Sequence, residues 1–505
     1  MADSCSLRVA ALSWGVLLSL ALTTPAWGKG ADLAILNARL IDGTGAPARE
    51  DVTIVVRAGR IETIGTEPPP VGVSIIDASS ATVLPGLIDA HVHLAAAPGS
   101  AFRHDTLETV QELNHLHLRA YLANGVTTIF DPQAPVAIAK EAQRWLAAGN
   151  PGPRYLTTGP MLSVPGGYGV ASSFGLSVPG GPLAEAALVV RTPADVEAAL
   201  DVIRSIGGIG VKLSVEYGFN PFGSMPTYPP EVRDAIARGA AARGLPVYVH
   251  AMSEREDQAA LDLGAHAIMH APRGGHWTGH FFGSRDLSDG FVARMVKSRA
   301  YQVTTFSVID TWPNGYDTHR LDDPLVRLTV PPVELATARD PEAARFFAVS
   351  MLGAAVPWTF EFMRPWMARH VWSPENLHEG LRYSQRNVLK LYRAGVPVVA
   401  ATDAPSFWPL AIYHFHGPQT AREIELLGEA GLSPIEALAA ATRVPAEMLG
   451  IDREVGTVEV GKRGDLLIVA GDPLADLRAL RNVRWTVKDG VAHTPEQWMQ
   501  PATSR

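Results

Sequence analysis

Val83-Leu-Pro-Gly-Leu-Ile-Asp-Ala-His-Val-His-Leu94 is an apolar run that closes on two histidines one residue apart, His91 and His93. Residues i and i+2 of a strand share a face, so such a pair aims two imidazoles at one point, as a metal site requires. Taken alone, the pair equally fits an alternating strand with two exposed histidines. Other apolar runs downstream also close on ligand-type residues. Ile209-Gly-Val-Lys-Leu213 presents Lys212, Pro246-Val-Tyr-Val-His250 presents His250, Ala267-Ile-Met-His270 presents His270, and Pro397-Val-Val-Ala-Ala-Thr-Asp403 presents Asp403. Each reads as a short buried strand bounded by Gly, Pro or polar breaks. Parallel strands that each end in a potential ligand predict an α/β protein, a (β/α)8 TIM barrel whose strand ends converge on one catalytic face.

The same phrases resemble the amidohydrolase superfamily, over nearly the whole chain after its first residues. Pro85-Gly-Leu-Ile-Asp-Ala-His-Val-His93, Ala400-Ala-Thr-Asp-Ala404 and Gly456-Thr-Val-Glu-Val-Gly-Lys-Arg-Gly-Asp-Leu-Leu-Ile468 carry the likeness. His416-Gly417, followed by Arg422-Glu-Ile-Glu-Leu-Leu-Gly-Glu-Ala-Gly-Leu-Ser-Pro-Ile-Glu-Ala437, is similar to the imidazolonepropionase-like and prolidase-like branch.

At 505 residues the chain is too long for one ordinary core, and a barrel with a small appended domain accounts for the length. Hydrophobic content of 47% with 19% charged residues describes a packed globular protein. A net charge of −8 offers no basic surface, so nucleic acid is not an expected partner. Val9–Leu22 is almost wholly apolar and is followed by Thr23-Thr-Pro-Ala-Trp-Gly28, which reads as a signal peptide over residues 1–28 cleaved after Ala26 or Gly28. The run is shorter than the ~20 residues that span a bilayer, so no stable membrane span is expected after cleavage. The expected location is therefore periplasmic or secreted. Cys5, the single cysteine, leaves with the leader, so any metal must be held by nitrogen and oxygen alone.

Leu33-Ala-Ile-Leu36, Val52-Thr-Ile-Val-Val56 and Ile61-Glu-Thr-Ile64 at one end, with Asp465-Leu-Leu-Ile-Val469 and Val483-Arg-Trp-Thr-Val487 at the other, read as strands too few to stand alone. The resemblance implies that residues 29–82 and 453–505 join in one composite β-sandwich beside a barrel over 83–452. Val126–Phe130, Arg154–Thr158 and Gln302–Phe306 are the expected second, third and seventh barrel strands. Pro230–Arg243 is an expected helix, ended by Gly244.

The resemblance also implies the chemistry. Two divalent metal ions, zinc by expectation, would be held by His91, His93 and Asp403 on one side and His250 and His270 on the other. An ammonium has no lone pair for a dication. Lys212 would therefore carry carbon dioxide as a carbamate whose oxygens bridge the pair. A metal-bridging hydroxide would attack the carbonyl, with Asp403 taking its proton and passing it to the leaving nitrogen. Plainer readings stand beside these: Lys212 as a buried lysine paired with Glu216, His270 as a core histidine, Asp403 as a helix N-cap. His266, His276 and His280 compete with His270, which is preferred because it ends its run.

Where prolidase-like relatives carry Gly-Gly-His, this chain has Gly166-Gly-Tyr168, whose phenol donates a hydrogen bond but does not shuttle protons near neutrality. Tyr168, Tyr228 and Arg273 are the candidate substrate-binding residues, the last two for a substrate carboxylate. Residues 306–384 form a long connection rich in tryptophan, including Trp312, Trp358, Trp366 and Trp372. It reads as an aromatic lid, as a packing or dimerisation element, or as a membrane-surface contact. A homo-oligomer is thus left open. The expected function is hydrolysis of a non-protein C–N bond in a small-molecule substrate, such as an N-acyl amino acid or an Xaa-Pro-type dipeptide. Lactonase or phosphotriesterase activity and a non-catalytic binding barrel are the alternatives.

Overall fold

The computed structural model describes residues 32–169, 185–217, 225–272, 285–355, 361–370, 373–406 and 411–500. The expected leader, Arg273, His276, His280, Trp358 and Trp372 lie outside the described residues. The chain opens with strands β1 (Leu33–Leu40), β2 (Arg49–Arg57), β3 (Arg60–Gly65), β4 (Ser74–Asp77) and β5 (Ala81–Pro85). Alternation sets their buried face: Val52, Ile54 and Val56 of β2 point inward while Arg57 is exposed.

The strands of the barrel, and one short pair beside it, follow. They are β6 (Leu87–Asp89), β7 (Val126–Asp131), β8 (Arg154–Thr157), β9 (Met161–Ser163), β10 (Ala187–Val189), β11 (Val211–Ser214), β12 (Val247–His250), β13 (Ala267–Met269), β14 (Tyr301–Val303) and β15 (Val398–Val399). β6, β7 and β8 form one parallel ladder and β11 to β15 another. The short pair β9 and β10 stands on the catalytic side, off the ring. Two seams close the ring: Ile209 N–H donates to Thr157 O at 2.9 Å, and Asp403 N–H donates to His91 O at 2.7 Å beside a bridge between Val92 and Ala404. Ile88, Phe130, Tyr248, Ala267, Met269, Val303 and Val399 fill the interior, while Leu87, Val126, Leu213, Val249 and Ile268 face the helices. Strands buried on both faces explain why these runs are continuously apolar.

The chain then returns through β16 (Leu466–Ala470), β17 (Val483–Lys488) and β18 (Val491–His493) to the first sheet, in the order β18-β17-β16-β5-β1-β2-β3 with β4 beside β1. Both termini thus build one sheet. It includes β5, so Val83–Pro85 pair with Leu466–Ile468 and the barrel begins at Leu87.

The connection after β14 is helical. Trp312 is buried and packs edge-on to Phe347 at 6.1 Å, in one core with Leu321, Val326 and Leu335. That placement is a packing role. Trp366 is exposed and stacks on His370. The helix Pro374–Arg393 takes in the end of the expected insertion and packs as a barrel helix, with Asn387 donating to Pro272 O and accepting from Leu287 N–H.

One buried polar pair ties the insertion to the barrel. His117 Nε2 lies 2.7 Å from Glu334 Oε1, and His117 Nδ1 lies 3.1 Å from Asn114 Oδ1. The Asn114 amide nitrogen donates to Leu94 O at 2.7 Å, so Oδ1 is an acceptor and His117 Nδ1 carries the proton. Burial holds His117 down to about 3 and raises Glu334 well above its usual range. Glu334 is therefore the protonated donor to a neutral imidazole, and its other oxygen, Oε2, has no hydrogen-bond partner among the described residues.

The lowered histidine makes stability fall as pH drops below its ordinary 6.5, and the raised carboxyl makes it fall as pH rises above its ordinary 4.5. The two slopes oppose each other between these values, and the histidine contributes none above 6.5. Glu334→Gln keeps a donor toward His117 and removes the carboxyl. Above pH 4.5 the wild type is expected to lose stability relative to this variant as pH rises, by up to about 1.4 kcal/mol per pH unit, read from denaturant midpoints. A gap that stays constant over that range would mean that the pair holds no proton in the fold.

Candidate metal centre

β6 ends at Asp89, and its extension runs through His91 and His93, kept straight by the bridge from Val92 to Ala404. His91 Nε2 and His93 Nε2 lie 3.2 Å apart. Asp403 Oδ1 lies 2.9 Å from His93 Nε2 and 3.2 Å from His91 Nε2. These three buried residues offer ligand atoms that all fall within 4.8 Å of one another.

His270 and His250 complete the face. The His270 ring sits 5.0 Å from that of His91 and 4.4 Å from that of His250. Asp403 Oδ2 turns toward His270 Nδ1 at 3.9 Å. His270 Nδ1 also meets Thr305 Oγ1 at 3.0 Å, and His250 Nε2 meets Glu216 Oε2 at 3.2 Å. Partners of this kind fix a ligand imidazole by taking the proton on one nitrogen, which leaves the other's lone pair free. Glu216 is thus engaged with His250 rather than with Lys212.

Lys212 rises from β11 among these groups, buried, and its Nζ has no hydrogen-bond partner among the described residues. Burial pulls its pKa down to about 7. His91 is pushed well below the usual imidazole range, first by burial and then by the charge of Lys212. Neutral imidazole nitrogens with one carboxylate are donors that suit zinc and similar divalent ions. An amine buried without a partner costs free energy in every state that leaves it so, and a ligand set with a second charged bridging group would remove that cost. The residues present therefore fit a metal centre.

A deeper layer holds the ligands in place. Asp403, His270 and Thr305 adopt positive φ of 62°, 79° and 101°, conformations that side-chain-bearing residues rarely occupy. Asp89 accepts from Thr402 N–H at 3.0 Å, from Thr402 Oγ1 at 2.8 Å and from Thr420 Oγ1 at 2.9 Å. Glu423 accepts from Thr304 Oγ1 and from the N–H groups of Thr305, Phe306 and Ser307 at 2.6–2.9 Å. Asp131 accepts from Leu94 N–H at 3.1 Å and lies 3.8 Å from His93 Nδ1. Sequence reasoning assigned no role to Asp89, Asp131, Thr305 or Glu423. Asp89 and Glu423 lie inside the phrases that carried the resemblance, which was the available signal.

The remaining candidates separate. The Tyr168 ring lies flat on His250, with centroids 4.2 Å apart and planes at 26°. Tyr228 is not brought to the site. Its hydroxyl donates to Leu162 O at 2.5 Å and accepts from Ser214 N–H at 3.2 Å, inside an apolar cluster, so the phenol has no capacity left for a substrate carboxylate. His266 precedes β13 whereas His270 follows it. Its Nε2 bonds Met448 O at 2.9 Å at the opposite end of the strand, which removes it as a rival. Asp403 caps no helix; it follows β15 and faces the imidazoles.

Comparisons with known proteins agree with this architecture. Residues 82–282 and 365–492 match the amidohydrolase family. An N-acyl-D-aspartate deacylase of Alcaligenes xylosoxydans xylosoxydans is 32% identical over 114 residues, which are 23% of this chain and 20% of that protein. The chain thus spans about a fifth of that relative's length. A crystal structure of a Xaa-Pro dipeptidase with methionine in its active site superposes with a TM-score of 0.67 at 22% identity, covering 92% of this chain and 100% of the other. Molinate hydrolase gives a TM-score of 0.67 at 20% identity over 94% and 98%. Likeness at these identities shows a shared fold.

Proposed function

Because this chain belongs to the amidohydrolase family, we propose that it is a metal-dependent hydrolase of C–N bonds in small molecules other than ordinary peptides. The observation that carries this reading is the partnerless, buried Lys212 amine set among His91, His93, His250, His270 and Asp403. An amine held down to about 7 keeps a lone pair at neutral pH. That lone pair adds to carbon dioxide with loss of one proton, and the resulting carbamate gives Lys212 the two oxygens a paired zinc centre needs. His91, His93 and Asp403 would hold one ion, and His250 and His270 the other. When bound, the ions supply Lewis acidity toward the acyl oxygen and bring the pKa of a water toward neutrality.

The chain's own residues do the rest. Asp403 Oδ1 faces His91 and His93 while Oδ2 is turned away toward His270. Oδ2 accepts the proton released as the water oxygen adds to the acyl carbon, then returns it to the nitrogen as the C–N bond breaks, because an amide anion is too basic to depart. Burial raises the Tyr168 phenol well above its usual 10, so it keeps its proton and acts as a hydrogen-bond donor to the substrate. Arg273 is assigned to the substrate carboxylate on its place in the sequence after His270.

The proposed substrates are N-acyl amino acids and Xaa-Pro-type dipeptides, met outside the cytoplasm after export by the Val9–Leu22 leader. Turnover of an N-acyl-amino-acid and Xaa-Pro panel by the purified protein tests this. Activity is expected to vanish on dialysis against a chelator and to return with zinc in the presence of bicarbonate. Turnover that survives metal removal would refute the mechanism.

A further inference from the structure

Past Asp131, at the catalytic end of β7, the chain turns through Pro132 into Gln133. Gln133 is only 4% exposed, and its backbone N–H donates to Asp131 Oδ1 at 3.3 Å. Its carboxamide nitrogen, Nε2, is buried and has no hydrogen-bond partner among the described residues. Buried amide donors are nearly always satisfied, so an orphan at a barrel mouth calls for a ligand.

Its surroundings say where that ligand lies. Nε2 packs against Gly169: a Cβ there would sit 3.1 Å from Nε2 and 2.1 Å from Met161 Cε, and the backbone has φ +78°, so glycine is what allows the close approach. Gly169 follows Tyr168, whose ring covers His250. The unpaired, enclosed donor therefore lies behind Gly169, next to the tyrosine that covers His250. The charge there is acidic. Asp131 sits directly beneath Gln133, and Glu216, Asp403 and Glu256 all act electrostatically on the Tyr168 phenol. An anionic group placed against Gln133 would face Asp131, whereas a neutral carbonyl oxygen accepts from Nε2 without that penalty.

We propose that Gln133 is a specificity-determining residue that donates through Nε2 to a second, uncharged carbonyl oxygen in the acyl part of the substrate, beyond the scissile bond. This deepens the C–N hydrolase reading and rests on it for the identity of the acyl group. The preferred substrates then carry an amide or carbamoyl oxygen in the acyl chain, and plain fatty acyl groups are poor.

N-acetylglycyl-L-proline and N-pentanoyl-L-proline have acyl chains of equal length and differ in that inner amide. The zinc-loaded wild type is expected to favour the first by about tenfold in kcat/KM, and Gln133→Leu is expected to bring the ratio close to one. Gln133→Met, of matching length, is the second variant should the leucine protein fail to fold. A ratio that is near one in the wild type, or unchanged in the variant, overturns the proposal. Calorimetric titration of both compounds into the same proteins separates the two levels of the argument. A tenfold binding preference lost in the variant, with neither compound hydrolysed, upholds Gln133 and refutes the hydrolase assignment. Equal binding refutes the role of Gln133 whatever the turnover.

Discussion

Asp403→Asn is expected to keep its metal and to lose about a thousandfold in kcat, within the range that general acid–base groups contribute. The amide oxygen of asparagine can occupy the place of Oδ1, 2.9 Å from His93 Nε2 and 3.2 Å from His91 Nε2. What it cannot do is accept a proton where Oδ2 now stands. Metal content and steady-state rates measured on the same preparation separate the two roles. A loss of metal in step with activity would make Asp403 only a ligand, and unchanged turnover would remove it from the mechanism.

The second large effect concerns Lys212, and it has opposite signs for activity and for stability. Lys212→Met fills nearly the same volume with an apolar chain, removing a buried amine that has no partner. Metal-free Lys212→Met is expected to be more stable than metal-free wild type by about 1–3 kcal/mol, since the uncompensated polar group is gone. With metal supplied, the variant is expected to lose at least a thousandfold in kcat/KM, because no carbamate can form. The stability half is read from denaturant unfolding under chelator. A wild type as stable as the variant there would mean that Lys212 is satisfied in the fold, and the argument from its isolation would lapse.

The barrel was legible in the sequence for a physical reason. Parallel strands buried on both faces leave continuous apolar runs, and the polar residue that ends each run marks the open face. His91, His93, Lys212, His250, His270 and Asp403 all stand at or near the ends of such runs, and they meet in space. The rivalry between His266 and His270 was decided by strand direction. Four residues of strand separate them by ~13 Å, at about 3.3 Å per residue, and only the later one reaches the catalytic end.

What stayed hidden was orientation. Tyr228 lies in a loop on the correct side of the barrel, but nothing in Pro226-Thr-Tyr-Pro229 says that its phenol turns back to Leu162 O and Ser214 N–H. Glu423 belongs to a helix whose acidic residues look solvated, yet it is buried and supports the strained backbone at Thr305. The insertion carries tryptophans that suggested a lid, whereas Trp312 is consumed in packing. In each case residue type gave the chemistry available, and the direction of the side chain depended on contacts distant in sequence.

The most direct test of the central claim is metal stoichiometry, by elemental analysis of purified wild type and Lys212→Met reconstituted with zinc and bicarbonate. Two equivalents per chain in the wild type, falling in the variant, is the result expected from a centre bridged by Lys212. One equivalent in both proteins would contradict it, leaving a single ion on His91, His93 and Asp403 and no function for the buried amine.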